Sequence, residues 1–479
     1  MTGRPCPWML QQRACRRWTV GRKRGTRANG KEQEVLLRQV NLHAAGIDVG
    51  SERHYVAVPK ERDAESVRSF GSVTGELNRL ADWLKACGIK TVAMESTGVY
   101  WIPLYELLEA RGFEVVLVNA RHLKNVPGRK TDVLDCQWLQ RLHTFGLLQA
   151  SFRPTAEIAQ LRAYVRHREM LVRYAASHVQ HMQKALTLMN LQLHQVLSDL
   201  TGETGMRILR RLVAGDHDPL QLAQERHPRC RASQEAIAQA LTGTYRPEYL
   251  FQLRQALELY DHYQTQITAC DRELEQRLAE LAVARPEPSS PLPTQRRRKP
   301  SGNEPHFELH PLLHRIAGGD LSQVDGIGVY AALRLLSETG TDMRRWPTVK
   351  HFTSWLCLAP RNQISGGKVL RRGTPTSSNR AALILRIAAM AAGKTQTALG
   401  AFYRRLAARI GKAKAITATA RKIAERVYHV LATGQPYSDP GVATYELHQR
   451  ERTLRSLRKR AALLGFELNP LPAVASTVS

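Results

Sequence analysis

The stretch GIDVGSERHYVAV, residues 46 to 58, decides how the first part of the chain folds. Two short apolar segments flank a polar turn, which is the pattern of a β-hairpin. Asp48 stands inside the first of these segments. Either it is a turn residue that bonds its own backbone, or a rigid sheet presents its carboxylate to a positively charged group. The residues further along the chain distinguish the two.

The sequence after the hairpin continues the pattern of a sheet covered by helices. The predicted elements are a strand in SVRSFGSV, an amphipathic helix in ELNRLADWLKACG, a buried strand in IKTVAMES, a helix in VYWIPLYELLEARG, a buried strand in FEVVLVNA and a helix that begins at Asp132. A meander of strands followed by alternating helices and strands predicts an α/β fold with a mixed sheet.

The composition limits the class of protein. The chain has 479 residues, and 70 Lys and Arg against 42 Asp and Glu give a formal net charge of +28. Such an excess favours nucleic acid as the partner. Seven scattered cysteines, none spaced Cys-x-x-Cys, indicate reduced thiols rather than a zinc ribbon. No run of about 18 apolar residues exists, so we expect a soluble, cytoplasmic protein with no membrane partner.

Two long helical segments follow the α/β part. Val165, Val172, Val179 and Leu186 recur every seven residues, in a pattern that continues to Leu200, and a second such series begins at Leu253. Heptads of this kind predict a coiled coil, but they do not name the partner helix. The two segments therefore form either an antiparallel arm within the chain or an interface between chains.

These patterns predict an α/β plus all-α protein in six segments. They are a basic flexible tail at 1–40, an α/β domain at 41–153, a helical coiled-coil arm at 154–283, a basic Pro/Ser linker at 284–305, a helical C-terminal domain at 306–438, and a charged helix with a tail at 439–479.

Four acids of the α/β part are candidates for one site. Asp48 and Glu95 end predicted strands, while Asp132 and Asp135 lie on one face at the start of a helix. Gathered carboxylates stay ionised only if a cation compensates them, and magnesium prefers such hard oxygen ligands. Each acid also has an ordinary explanation as a turn residue, a capping residue, an N-terminal helix acid or a solvated surface group.

A second candidate site lies in the C-terminal domain. The sequence DGIG, with Gly326 and Gly328, resembles a helix-hairpin-helix turn, whose backbone N–H groups approach a phosphate; permissive glycines in a plain turn are the alternative. Downstream, RNQISGGKVLRR places Ser365 before two glycines. The cations around this serine, which would attract a phosphate, are Arg361, Lys368, Arg371 and Arg372. Serine is also a default turn residue, and no activating His or Asp lies in the stretch.

Several of these segments resemble a known family. GIDVGSERHYVAV, the block from MESTGVYW to KTDVLDCQWL, VDGIGVYAALRLLSETG and WLCLAPRNQISGGK resemble the DEDD transposases of bacterial mobile elements, in the insertion sequence 110 family. The resemblance covers about residues 44 to 152 and 320 to 435. Its most specific part is MES-TG-Y-W followed by N-x-x-H and KTD-x-x-D.

The resemblance implies roles for individual residues. The first block would be a RuvC-like domain of the RNase H fold, with Asp48, Glu95, Asp132 and Asp135 as its four acids. Lys130 would contact a phosphate. The serine of SGGK, Ser365 here, would be the nucleophile that bonds to cut DNA. The sequence after Lys368 departs from the family's arginine/glycine pattern, which leaves Ser377 and Ser378 as weaker alternatives.

The resemblance also implies partners and an activity. It implies a bacterial, nucleoid-associated transposase or site-specific recombinase that uses magnesium, or manganese in its place, and a guide RNA made by the element. It further implies a homo-oligomer, dimer or tetramer, held by the coiled-coil arm, with an active site shared between subunits. One alternative is a RuvC-like endonuclease or junction resolvase that uses water. The other is a non-enzymatic nucleic-acid-binding protein that uses its charge alone.

Overall fold

The computed structural model describes residues 38–119, 132–288, 290–294, 302–371 and 373–469. The chain divides into two compact units between Phe152 and Arg153, and each unit is described by itself. None of the helices in these ranges is long and apolar enough to cross a bilayer.

The first unit is built on a five-stranded mixed sheet. Its elements are β1 (Ala44–Val49), β2 (Arg53–Ala57), β3 (Val67–Gly71), α1 (Thr74–Ala86), β4 (Thr91–Glu95), α2 (Trp101–Ala110), β5 (Glu114–Val118) and α3 (Asp132–Thr144). The strand order is β3-β2-β1-β4-β5. The first three strands form an antiparallel meander, and β4 and β5 run parallel to β1. The predicted mixed sheet and its hairpin are confirmed, and the architecture is consistent with an RNase H-like fold.

Helices cover both faces of this sheet. Side chains alternate between faces along a strand, so Ile47 of β1 and Met94 of β4 enter the large core under α1 and α2. Ala93 and Val118 face the other way and pack against Leu139 of α3. The sheet therefore has α3 alone among the described helices against its second face, and this helix carries two of the candidate acids.

The second unit is mostly helical. Its helices are α4 (Ala156–Leu188), α5 (Leu193–Val196), α6 (Glu203–Val213), α7 (Pro219–Ala223), α8 (Gln234–Ala240), α9 (Pro247–Val283), α10 (Leu309–Ala317), α11 (Val329–Thr339), α12 (Val349–Trp355), α13 (Arg380–Ala392), α14 (Ala398–Ile410), α15 (Lys412–Thr433) and α16 (Gly441–Leu463). Two strands, β6 (Gln363–Ser365) and β7 (Lys368–Arg371), form a hairpin. The sequence analysis did not predict this hairpin inside a helical domain.

The helices α4 and α9 pack against each other in opposite directions. Tyr174 of α4 contacts Tyr263 of α9, whereas the earlier Arg168 pairs with the later Asp271. The heptad pattern of the sequence had α4 running on to Leu200, and this prediction was wrong. The helix ends at Leu188 because Asn190 adopts a left-handed backbone, with φ of 56°.

The base of this helical pair is tied to α11 by a buried charge. Arg168 is 1% exposed and pairs with Asp271 of α9. Its guanidinium also donates to the carbonyl of Asn303 at 2.8 Å and to the hydroxyl of Tyr330 at 3.2 Å. Because every side of the guanidinium has a partner, removing Asp271 would leave a buried charge uncompensated, at a cost of about 3–5 kcal/mol.

Candidate active site

Asp48 and Glu95 lie side by side at one edge of the sheet. β1 and β4 are parallel neighbours, and their register pairs Ile47 with Met94, so Asp48 and Glu95 are the next residues on adjacent strands. Neighbouring strands are about 4.8 Å apart. Asp48 shares the face of Gly46, and Glu95 shares the face of Ala93. Both carboxylates therefore point toward the face that α3 covers.

Gly46 brings α3 close to these two acids. A Cβ at this position would lie 2.2 Å from the backbone N of Gln140 and 2.4 Å from the carbonyl of Cys136. Only glycine permits this approach of helix to strand. Asp132 and Asp135 occupy the first turn of α3, where acids also interact favourably with the helix dipole.

The charges of the other three acids act on Asp48. Burial and, after it, the charges of Glu95, Asp132 and Asp135 together raise the pKa of Asp48 to about 6. Acids from two other elements, β4 and α3, thus lie close enough to Asp48 to affect its charge. Thr97 donates its hydroxyl hydrogen bond to Glu95 at 3.1 Å, which holds this fourth carboxylate in place from the loop after β4.

Ser365 stands at the tip of the β6–β7 hairpin. The register pairs it with Lys368, and Gly366 and Gly367 between them both have positive φ, 54° and 75°. Two such residues in a two-residue loop make a type I′ turn, which suits the twist of a hairpin. The side chain of Ser365 is exposed. Within the described residues, its hydroxyl has no hydrogen-bond partner.

Family models match both parts of the chain that hold these residues. A model described as Transposase, of the DEDD type of IS110 elements, matches residues 45–191, and a model described as Transposase IS116/IS110/IS902 family matches residues 319–404. The chain belongs to the IS110 family of transposases. No curated protein matches it.

Membership of this family settles the class of activity. A transposase is a DNA-recombining enzyme, so the alternative of a purely structural nucleic-acid-binding protein is not retained. The DEDD domain of the transposase also indicates a divalent metal ion. The four acids lie within the first matched segment, and Ser365 lies within the second.

The four carboxylates of the transposase are the right type of ligand for a hard divalent cation, but their positions do not form a binding site. Carboxylate oxygens are the ligands that magnesium prefers, at about 2.1 Å. Among the residues that the structure describes, however, no three His, Cys, Asp or Glu side chains are arranged to hold a metal ion. The acids can affect the pKa of Asp48 without forming a metal site, because Coulomb interactions extend several ångströms further than a metal–ligand bond. The carboxylates are near enough to interact electrostatically, but they are not arranged around one ion position.

Other predicted site residues occupy varied surroundings. Arg361 is exposed just before the hairpin, and Lys368 is exposed within it. The N–H of Arg361 donates to the carbonyl of Gly373 at 2.9 Å. The backbone of Arg371 ends β7. Arg372 and Lys130 lie outside the described residues.

The glycines of DGIG position α11. Gly326 has φ of 86°, and a Cβ there would lie 2.1 Å from the carbonyl of Ala388 in α13. Gly328 directly precedes the first residue of α11. Gly326 is therefore required by close packing, whether or not it also contacts a phosphate.

Two contributors to the acidic site were missed by sequence analysis. Gly46 acts by its lack of a side chain, and a glycine inside a strand was the signal that could have identified it. Cys136 of α3 is fully buried. Burial, together with the nearby Asp48 carboxylate, raises the pKa of its thiol to about 12, so the free thiol stays protonated at neutral pH.

Proposed function

We propose that this transposase cuts and rejoins DNA at a magnesium site formed by Asp48, Glu95, Asp132 and Asp135, and that Ser365 forms a covalent link to the cut strand. The observation that carries the proposal is the electrostatic coupling of Asp48 to the other three carboxylates. A half-buried carboxylate near three others is costly when ionised, and a bound divalent cation would remove that cost.

The residues of the chain have separate tasks in this mechanism. The bound metal supplies Lewis acidity to the phosphodiester. The four carboxylates hold and orient it, and α3 fixes the position of two of them. The hydroxyl oxygen of Ser365 attacks phosphorus, so a P–O bond to serine forms as the P–O bond of the DNA strand breaks. The released DNA oxygen takes up a proton, and the serine proton passes to a base.

The hairpin suits Ser365 for this attack. Its hydroxyl is exposed and carries no competing hydrogen bond within the described residues, and Lys368 stands opposite it in the register. Arg361, Arg371 and Arg372 add positive charge in the same stretch, and together with Lys130, two residues before Asp132 in the sequence, they would hold phosphates. Gly326 and Gly328 would offer backbone N–H groups to DNA at the start of α11.

The same proposal includes a guide RNA and assembly of several subunits. The guide RNA rests on the family resemblance. Assembly as a dimer or tetramer through a coiled coil of α4 and α9 is supported by the apolar side chains that this pair leaves exposed, among them Tyr174, Phe251 and Leu259. Exposed aromatic residues on a helical surface favour contact with another protein surface.

Removing the metal is the direct test of the acidic site. Cleavage of end-labelled DNA should require magnesium, stop in EDTA, and return when magnesium or manganese is added, because the carboxylates alone cannot stabilise a developing charge on phosphate. Circular dichroism in EDTA serves as the control for folding. Undiminished cleavage by folded, metal-stripped protein would contradict the proposal.

The net charge predicts how DNA binding responds to salt. Each phosphate neutralised by Lys or Arg releases counterions, so the logarithm of the affinity should fall linearly with the logarithm of salt concentration, by about 0.9 per contact. With an excess of +28, we expect a steep dependence in fluorescence anisotropy with duplex DNA. An affinity that stays constant between low and physiological salt would show that the charge does not drive binding.

A further inference from the structure

The last described helix contributes nothing to the core. α16 spans 23 residues, Gly441–Leu463, and none of them is buried. It rests along one edge of α14, where Tyr445 packs edge-on against Phe402 with ring centroids 6.4 Å apart. It also lies beyond residue 404, where the second family match ends. A long exposed helix held by one edge is free to present its other sides to a partner.

The groove between α14 and α16 is cationic. It forms a cleft of about 550 Å³. Its charged lining residues are three arginines, Arg404, Arg405 and Arg450, and one acid, Glu446. Arg404 is engaged with the backbone carbonyls of α13's C-terminal loop, for example that of Thr395 at 2.7 Å. The other arginines have no such engagement.

Several guanidinium groups gather here without a paired acid, although Glu446 also lines the cleft. Among the described residues, no carboxylate pairs with Arg405, Arg409, Arg450 or Arg452. Burial raises the pKa of Tyr445, and the charges of Arg405, Arg452 and Arg409 oppose that rise, so these three cations converge on one phenol. Elsewhere on the same helix an arginine does find an acid, since Arg455 lies 3.5 Å from Glu451. The unpaired cluster is the feature that calls for an anionic partner.

We propose that the cleft between α14 and α16 binds the phosphate backbone of duplex DNA through Arg405 and Arg450, which line it, with Arg409 and Arg452 adding charge near its Tyr445. Guanidinium groups match phosphate geometry and are the usual contacts for it. Duplex DNA is the polyanion that a transposase must hold. Unpaired bases would need a free aromatic face on which to stack, whereas Tyr445, the one aromatic side chain lining the cleft, is half-buried against Phe402.

None of these arginines is among the residues proposed for chemistry. The proposed site rests on the DNA-binding part of the proposed function and not on the serine or the metal. Backbone contacts carry no base sequence, so the cleft would hold DNA of any sequence and add to affinity rather than to target choice.

A charge-matched pair of variants tests the proposal in the full-length protein. Arg405→Ala/Arg450→Ala removes two exposed cations that line the cleft. Arg231→Ala/Arg272→Ala removes two exposed arginines of the same unit that lie outside the cleft and lowers the net charge equally. The probe is a fluorescent DNA duplex of arbitrary sequence, titrated by anisotropy across a series of salt concentrations.

The cleft variant should show a shallower salt dependence. Two lost phosphate contacts reduce the slope by about 2 and the affinity at physiological salt by about tenfold or more, while the control pair should leave the slope unchanged. Equal slopes for both pairs would overturn the proposal, because the cleft would then be one part of a diffuse positive field. A loss seen with an RNA duplex of the same length and not with DNA would overturn the choice of DNA.

Cleavage separates this result from the proposed mechanism. At saturating protein, the cleft variant should cut labelled DNA at the wild-type single-turnover rate, because Asp48 and Ser365 are untouched. If the wild type itself shows no metal-dependent cleavage, the proposed mechanism fails and the binding result still stands. An unchanged melting temperature is expected as well, since the substituted side chains are exposed.

Discussion

Replacing Ser365 by alanine is expected to abolish DNA cleavage and the protein-linked DNA product together, while DNA binding stays within about twofold of wild type, because every binding cation remains. Loss of a nucleophile typically lowers the rate by 10⁴-fold or more, so about that loss is expected here. Denaturing electrophoresis of labelled DNA measures both outcomes, since a covalent adduct migrates with the protein.

The position of Ser365 makes this variant easy to interpret. Its side chain is exposed at a hairpin tip and makes no hydrogen bond among the described residues, so its removal should change the free energy of unfolding by less than about 0.5 kcal/mol. The turn itself depends on Gly366 and Gly367, which stay in place. A loss of activity therefore reports on chemistry rather than on folding.

Two neighbouring serines provide the controls. Ser378 is exposed, and Ser378→Ala should retain full cleavage. The hydroxyl of Ser377 accepts a hydrogen bond from the N–H of Asn379 at 3.0 Å, just before α13, so Ser377→Ala should affect stability before it affects chemistry. If Ser365→Ala cuts DNA and leaves no protein-linked product, water is the nucleophile, and the mechanism is that of a RuvC-like nuclease.

The sheet could be predicted from sequence because its signals are local. Strands β1 and β2 lie on either side of a short polar turn, and β4 and β5 are short apolar runs bounded by turn residues. The type of each element and the order of the elements along the chain therefore follow from the sequence pattern. The proximity of acids at strand ends can be predicted in the same way, since adjacent parallel strands bring their carboxyl ends together. The convergence of Asp48 and Glu95 needed no tertiary information beyond that.

Other features depend on contacts that no local pattern records. The heptads run on past Leu188, but the N–H of Thr244 donates to the carbonyl of Met189 at 2.9 Å, and Asn190 leaves the helix there. The β6–β7 hairpin has strands of only three and four residues, too short for a periodicity to show. The approach of α3 to Gly46 is likewise a tertiary fact. Each miss arises where packing between distant segments decides the backbone.

Replacing Asp48 by asparagine is expected to remove activity while stabilising the fold, which is the opposite of what a damaging mutation does. Cleavage should fall on the order of 10³-fold or more, since the ion that stabilises charge on phosphate loses its central ligand. Asparagine keeps the shape of the side chain and removes the charge, so the cost of burying that charge and its repulsion by the other three carboxylates are both lost.

The stability change has a defined dependence on pH. The folded-state pKa of Asp48, about 6, lies above the ordinary value of 3.8. The folded protein therefore binds this proton more tightly than the unfolded chain, and stability falls as pH rises from about 4 to about 6 and stays lower above that. A shift of about two units corresponds to about 2–3 kcal/mol. Asp48→Asn should thus gain about 2 kcal/mol at pH 8 and nothing below pH 4.

Urea denaturation of metal-free protein measures this difference directly. Wild type and Asp48→Asn are compared at pH 4 and pH 8, then again at pH 8 with magnesium. Magnesium should stabilise the wild type and have little effect on the variant, because ligand binding to the native state alone raises stability. Glu76→Gln, an acid of α1 that pairs with Arg79, is the matched control and should show neither the gain nor the metal effect. A variant that is less stable than wild type at pH 8 would mean that Asp48 is held by a favourable partner, and the four carboxylates would not form one cation site.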